Sequence, residues 1–202
     1  MAAIENPAAG EMGVTTRFAH WVSVVAHPFV MVAIMVGTAT ARLDRSGDIV
    51  SNIGIVLLFA ILPVVVLTVR QVRRGAWANA DASNPRDRPV LYAVGIAGLL
   101  ALMLYLTARQ PDSFLVRGTS VALLMLAVCA ITTIWVKVSI HVATAALAAT
   151  TLILLGSPVG WGGAVVVPIL MWSRLALGRH KPLEVAFGLV FGILAGIATR
   201  FP

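Results

Sequence analysis

The length of the uninterrupted apolar runs constrains the fold of this chain most strongly. Residues 119–156 are almost entirely apolar, and several other runs are about 20 residues long. Runs of this length are typical of transmembrane helices, in which every backbone amide is bonded within the helix because the bilayer core holds no water. Charged residues make up only 11% of the chain, against about 25% in soluble domains. We therefore predict one all-α, polytopic integral membrane domain over residues 1–202.

Polar breaks divide this domain into about six to seven predicted spans. An interfacial N-terminal segment over residues 1–18 precedes spans over 22–41, 49–69 and 90–107. The 119–156 run is too long for one crossing at about 1.5 Å per residue. We predict a turn near Lys137 and His141, because both side chains are costly inside a bilayer. Two more spans, over 161–173 and 184–199, place the loops after the second, fourth and sixth spans on one face of the membrane.

Residues outside those loops favour structural interpretations. The net charge of +7 is typical of the basic loops of membrane proteins, and it does not predict nucleic-acid binding. Cys129 lies inside an apolar run and is interpreted as a packing residue. His20 is interpreted as interfacial. His27 precedes Pro28, which is expected to kink the first span, and a structural role is favoured for both histidines.

The residues that could take part in binding or catalysis lie in three loops on one predicted face, at 81–89, 137–141 and 174–184. Arg88 and Arg174 each present a planar guanidinium that matches phosphate oxygens. Further cations and donors in these loops are Arg86, Lys137, Ser139, Arg179 and Lys181. The loops together therefore predict a site for a phosphate group.

His180 and Glu184 form the second part of that prediction. They lie four residues apart and share one helix face if the last helix begins near Pro182. A carboxylate on one imidazole nitrogen fixes the tautomer and leaves the other nitrogen as a nucleophile. His141 is then available as the proton donor to a leaving oxygen.

The order of these residues resembles the signatures of the type 2 phosphatidic acid phosphatase family. Residues 173–184 read Ser-Arg, five residues, His, three residues, acid, as in its third signature. Ser139 and His141 match the second signature, Pro-Ser-Gly-His. Residues 88–89 match the end of the first, Lys, six residues, Arg-Pro, although Asp81 stands at the lysine position. The resemblance covers about residues 81–202, the expected catalytic core.

This resemblance implies a metal-independent lipid phosphate phosphatase with no cofactor. His180 would form a phosphohistidine, and His141 would protonate the leaving oxygen and then activate water. The phosphate oxygens would be stabilised electrostatically. The residues implied in that role are Arg88, Arg174 and Ser139, with Lys137 or Arg86 supplying the missing cation and Asp81 supporting an arginine. Family substrates are phosphatidate, phosphatidylglycerol phosphate and polyprenyl mono- or diphosphates, and the small loops narrowly favour a polyprenyl lipid.

Departures from the family pattern keep a second function open. Asp81 cannot bind phosphate, and Ile140 adds bulk where the family has glycine. A catalytically degenerate relative that binds, carries or scaffolds an anionic lipid is therefore the alternative. The expected location is the cell membrane, and the cations at Arg70, Arg73 and Arg74 favour a cytoplasmic site.

Overall fold

The computed structural model describes residues 13–43, 48–77, 84, 87–111 and 113–200. In these ranges every regular element is a helix. The chain runs through α1 (Val14–Val25), α2 (Pro28–Leu43), α3 (Ile49–Val56), a π-helical turn (Leu57–Ile61), α4 (Leu62–Arg73), α5 (Arg88–Arg109), α6 (Phe114–Thr132), α7 (Ile140–Leu154), α8 (Pro158–Ala176) and α9 (Pro182–Ala198). The all-α class is confirmed.

Four of these helical stretches are long and apolar enough to cross a membrane. They are Ile49–Arg73, Arg88–Arg109, Phe114–Thr132 and Pro158–Ala176, and the bent pair α1–α2 makes a fifth if it is one span. The helices α7 and α9 are apolar but shorter. The chain is therefore a helical membrane protein, while a total of six to seven spans stays a prediction.

Two predicted breaks are confirmed. The helices α1 and α2 meet at an angle of 42°, and Pro28 is the first residue of α2, where its missing amide proton costs nothing. The 119–156 run is divided as expected, because α6 ends at Thr132 and α7 begins at Ile140. The second break brings His141 into the first turn of α7.

The helix α7 lies at the centre of the bundle and packs closely against α9. Gly188, Gly192 and Gly196 recur every fourth residue along one face of α9. A side chain at Gly192 would overlap the carbonyl oxygen of Ala143 on α7, so the two backbones approach as closely as small residues allow. This packing fixes the start of α7, with His141, beside the start of α9. Cys129 is buried in the neighbouring core, as predicted for a packing residue.

Candidate active site

A chamber of about 270 Å³ brings the three loops together. Its wall includes Arg88 from the start of α5, His141 from α7, and Arg174 and His180 from the end of α8 and the turn after it. His27, from the break between α1 and α2, also lines it, as do Thr68 and Tyr92. We call this space the polar chamber. Four of the predicted loop residues therefore line one space, while their functional roles and the membrane face on which they lie stay predictions.

His180 is held by Glu184 as the spacing predicted. Nδ1 of His180 lies 2.8 Å from Oε2 of Glu184, and the amide of Lys181 donates to the same oxygen at 3.2 Å. Burial, together with the nearby charges of Arg174, Arg88, Lys137 and His141, lowers the pKa of His180 to about 2. The imidazole is therefore neutral, its Nδ1–H donates to the carboxylate, and Nε2 carries the lone pair.

A tight turn returns His180 to the end of α8. Gly178 has a φ of +62°, a left-handed conformation that favours glycine. The carbonyl oxygen of Arg174 accepts bonds from the amides of Arg179 at 3.1 Å and His180 at 3.3 Å. Because α9 then begins at Pro182, this turn holds the imidazole of His180 beside the guanidinium-bearing end of α8.

Arg174 is almost fully buried and is fixed by α1. Its Nη1 donates to Oγ of Ser23 at 2.7 Å, and the neighbouring Ser173 donates to the carbonyl oxygen of Ala19 at 2.6 Å. The sequence interpretation assigned no part of the site to α1. The available signal was small residues at positions 19, 23 and 26 on one face of a helix rich in large apolar residues.

Arg88 and Lys137 each donate a hydrogen bond to the backbone of another loop. Nη1 of buried Arg88 donates to the carbonyl oxygen of Val138 at 2.9 Å. Nζ of Lys137 donates to the carbonyl oxygen of Arg179 at 2.8 Å, and burial, then Arg88, lowers the pKa of its ammonium group. Lys137 lies outside the chamber wall, so its observed contact joins the loop before α7 to the turn that bears His180.

The remaining predicted residues are placed differently. Ser139 is completely buried outside the chamber wall, and its amide donates to the carbonyl oxygen of Glu184 at 3.1 Å. Its hydroxyl has no hydrogen-bond partner within the described ranges. Asp81 and Arg86 lie outside the described residues.

His27 is a site residue to which the sequence interpretation gave a structural role. Its ring lies 5.1 Å from that of His141, with the two planes 83° apart. Nδ1 of His27 accepts a bond from the amide of Phe29 at 3.4 Å, at the first turn of α2. The sequence signal was a His-Pro pair at a break within an apolar run.

A second and larger space adjoins the polar chamber. It measures about 430 Å³, and its wall is largely apolar along the lengths of α2 and α7. We call it the apolar chamber. The residues that line both chambers are Pro28, Phe29, Gly95, Leu126 and Ile140. The far end of the apolar chamber is bordered by Leu155, Arg117 and Arg200.

Within the part of the chain that the structure describes, no three His, Cys, Asp or Glu side chains are grouped as a metal site requires. No protein-family model, curated protein or solved structure matches this chain. The functional assignment therefore rests on the residues of the chain and on their geometry.

Proposed function

We propose that this chain is a membrane lipid phosphate phosphatase that resembles the type 2 phosphatidic acid phosphatases and works through a phosphohistidine. One observation carries the proposal. Arg88, His141, Arg174 and His180 come from three separate loops and line one chamber, with Glu184 bonded to His180. This set supplies a nucleophile, an orienting carboxylate, a proton donor and two fixed cations.

In the first step, Nε2 of His180 attacks the phosphorus atom of the lipid phosphate. A bond forms between nitrogen and phosphorus while the bond from phosphorus to the lipid oxygen breaks. His141 gives its proton to that oxygen, so the lipid leaves as a neutral alcohol or, from a diphosphate, as a monophosphate. Arg88 and Arg174 stabilise the charge on the equatorial oxygens, the contribution that dominates phosphoryl transfer.

In the second step, water hydrolyses the phosphohistidine. His141, now neutral, takes a proton from the water as its oxygen attacks phosphorus. The nitrogen–phosphorus bond breaks, inorganic phosphate leaves, and His180 returns to its neutral form. Glu184 holds Nδ1–H throughout, so Nε2 is the nitrogen that is presented in every cycle.

The apolar chamber supports a lipid as the substrate. It adjoins the polar chamber, with which it shares wall residues, and its volume lies within the range of ligand pockets, about 300–1,000 Å³. A phosphate bound beside His180 would leave the attached hydrocarbon chain at the mouth of this space. Polyprenyl and glycerolipid phosphates both fit this arrangement, and the polyprenyl class remains narrowly favoured.

A second candidate function is the binding or carriage of an anionic lipid without chemistry. The apolar chamber continues to Arg117 and Arg200, so a lipid path with cations at both ends favours this alternative. For either function we propose the cell membrane as the location and the cytoplasmic side for the polar chamber, from the basic cluster at Arg70, Arg73 and Arg74.

Phosphate release by the purified protein separates the two functions. We expect release from a lipid phosphate in the presence of a metal chelator, and loss of at least about a thousandfold in kcat for His180→Ala. A matched control is His20→Ala, on the exposed face of α1, which should retain full activity. Full activity in the His180→Ala protein would rule out the phosphohistidine mechanism. Lipid binding without turnover by the unmodified protein would favour carriage.

A further inference from the structure

His27 is the third histidine of the polar chamber and lies beside the wall that the two chambers share. Pro28, Phe29 and Ile140 line both chambers, and His27 and His141 are their immediate neighbours in sequence and line the polar chamber. The two imidazoles therefore lie on the side of the polar chamber that adjoins the apolar chamber. The hydrocarbon part of a substrate bound at His180 would extend toward this side.

The tautomer of His27 follows from its position at the start of α2. Its carbonyl oxygen accepts the amides of Val30 at 2.9 Å and Met31 at 3.1 Å, and its Nδ1 accepts the amide of Phe29. An imidazole nitrogen that accepts a hydrogen bond carries no proton, so the proton of the neutral ring is on Nε2. His27 thus contributes an N–H donor to the wall of the polar chamber.

We propose that His27 is a specificity-determining residue that donates Nε2–H to the phosphoryl group nearer the lipid in a diphosphate substrate. This inference rests on the proposed function and names its substrate class as lipid diphosphates. Arg88 and Arg174 serve the phosphoryl group that is transferred to His180. His27, beside the proton donor His141, serves the phosphoryl group that leaves with the lipid.

The charges around His27 suit a second phosphoryl group. A lipid monophosphate would place only its carbon-bound oxygen beside His27 and His141, and this oxygen needs the single proton of His141. A diphosphate places a charged phosphoryl group there, whose oxygens need donors of their own. The other ionisable groups of the chamber wall are Arg88, Tyr92, His141, Arg174 and His180. The neutral ring of His27 adds a donor to them without adding charge repulsion.

Two substitutions at His27 distinguish its role as a hydrogen-bond donor from its role in capping α2. In His27→Asn the side-chain oxygen can still accept the amide of Phe29, and asparagine is a favourable cap, but no donor remains at the place of Nε2. In His27→Gln the amide nitrogen reaches the place of Nε2, while the short cap contact is lost. His20→Gln, on the exposed face of α1, controls for a change of histidine elsewhere.

The test compares the unmodified protein and these variants with farnesyl diphosphate and farnesyl phosphate in detergent. For His27→Asn we expect kcat/KM for the diphosphate to fall about 10- to 100-fold, as for a lost bond to a charged group. The monophosphate value should change less than about threefold, and His27→Gln should retain most of the diphosphate activity. Equal losses on both substrates, or a larger loss in His27→Gln than in His27→Asn, would overturn the inference.

A binding measurement tests the role of His27 independently of the proposed phosphatase activity. By calorimetry, His27→Asn should weaken the binding of inorganic pyrophosphate about tenfold or more and leave that of orthophosphate nearly unchanged. That pattern in a protein that releases no phosphate would refute the phosphatase and retain the role of His27. Unchanged pyrophosphate binding, or none by the unmodified protein, would refute the role of His27 and leave the phosphatase intact.

Discussion

The two faces of α7 are packed in opposite ways. On the face toward α9, Ala143 and Ala146 meet the glycines of α9 so closely that a side chain at Gly192 has no room. On the other face, Ile140, Thr144, Leu147 and Thr151 border the apolar chamber of about 430 Å³. One helix thus joins a closed interface to an open space.

The two faces of α7 would have different roles in the proposed function. The closed face sets the distance between His141, on α7, and the segment before α9 that bears His180, so in the proposed phosphatase it would hold the two histidines in place. The open face would leave room for the hydrocarbon chain of the proposed substrate. A site that must hold a phosphate rigidly and a tail loosely needs both kinds of packing on adjoining surfaces.

The largest expected effect concerns the carboxylate at the start of α9. In Glu184→Gln the residue can no longer select the Nδ1–H tautomer of His180, so we expect kcat to fall about 10²- to 10⁴-fold. Binding of vanadate, measured by inhibition or calorimetry, should weaken far less, because Arg88 and Arg174 remain. Equal losses of turnover and vanadate affinity would argue against a tautomer-selecting role.

The closed face can be tested by one methyl group. Gly192→Ala should lower the free energy of unfolding by about 1–3 kcal/mol, since the added carbon overlaps Ala143. The matched control is Gly162→Ala on α8, where the added carbon would enter open space. Denaturation in mixed micelles measures both. The comparison between the two faces would fail if Gly192→Ala were as stable as the control.

The open face can be tested by filling it. Ala122 lines the apolar chamber, and Ala122→Phe should reduce kcat/KM about tenfold for a long-chain lipid phosphate while sparing a short-chain analogue. Ala101→Phe, on the exposed surface of α5, is the control and should affect neither substrate. Equal loss on long and short chains would show that the space does not hold the tail.

The smallest expected effect is a dependence of stability on pH. The pKa of His180 is lowered to about 2 in the folded chain, whereas an unfolded histidine has a pKa of about 6.5. Below about pH 6.5 the unfolded state therefore binds more protons, and stability falls as the pH falls. Unfolding of the unmodified protein at pH 7.5 and 5.5 should show this loss, and His180→Asn should reduce it. An equal loss in both proteins would assign it to other groups.

The parts of the fold that were predictable depend on local patterns. The apolar runs indicated the helices, and the cost of burying Lys137 and His141 indicated the break between α6 and α7. The contact between His180 and Glu184 followed from their spacing of four residues, with Pro182 as the start of α9. In each case the residues that decide the structure are neighbours in sequence.

The parts that were not predictable depend on distant pairs. Ser23 and Arg174 are 151 positions apart, and no local pattern links them. The contact of Lys137 with the carbonyl oxygen of Arg179 likewise depends on how two loops meet, so its side chain was predicted to face phosphate. His27 was interpreted as structural because its place in an apolar run does not indicate that the ring of His141, more than a hundred positions away, lies beside it.

The central claim is that His180 is a nucleophile facing a phosphate held by two buried arginines. An experimental structure with vanadate tests it most directly, because vanadate adopts the geometry of phosphoryl transfer. We predict vanadium bonded to Nε2 of His180, with its oxygens within hydrogen-bonding distance of Arg88 and Arg174. Vanadate absent from the polar chamber, or bound there without contact to His180, would contradict the claim.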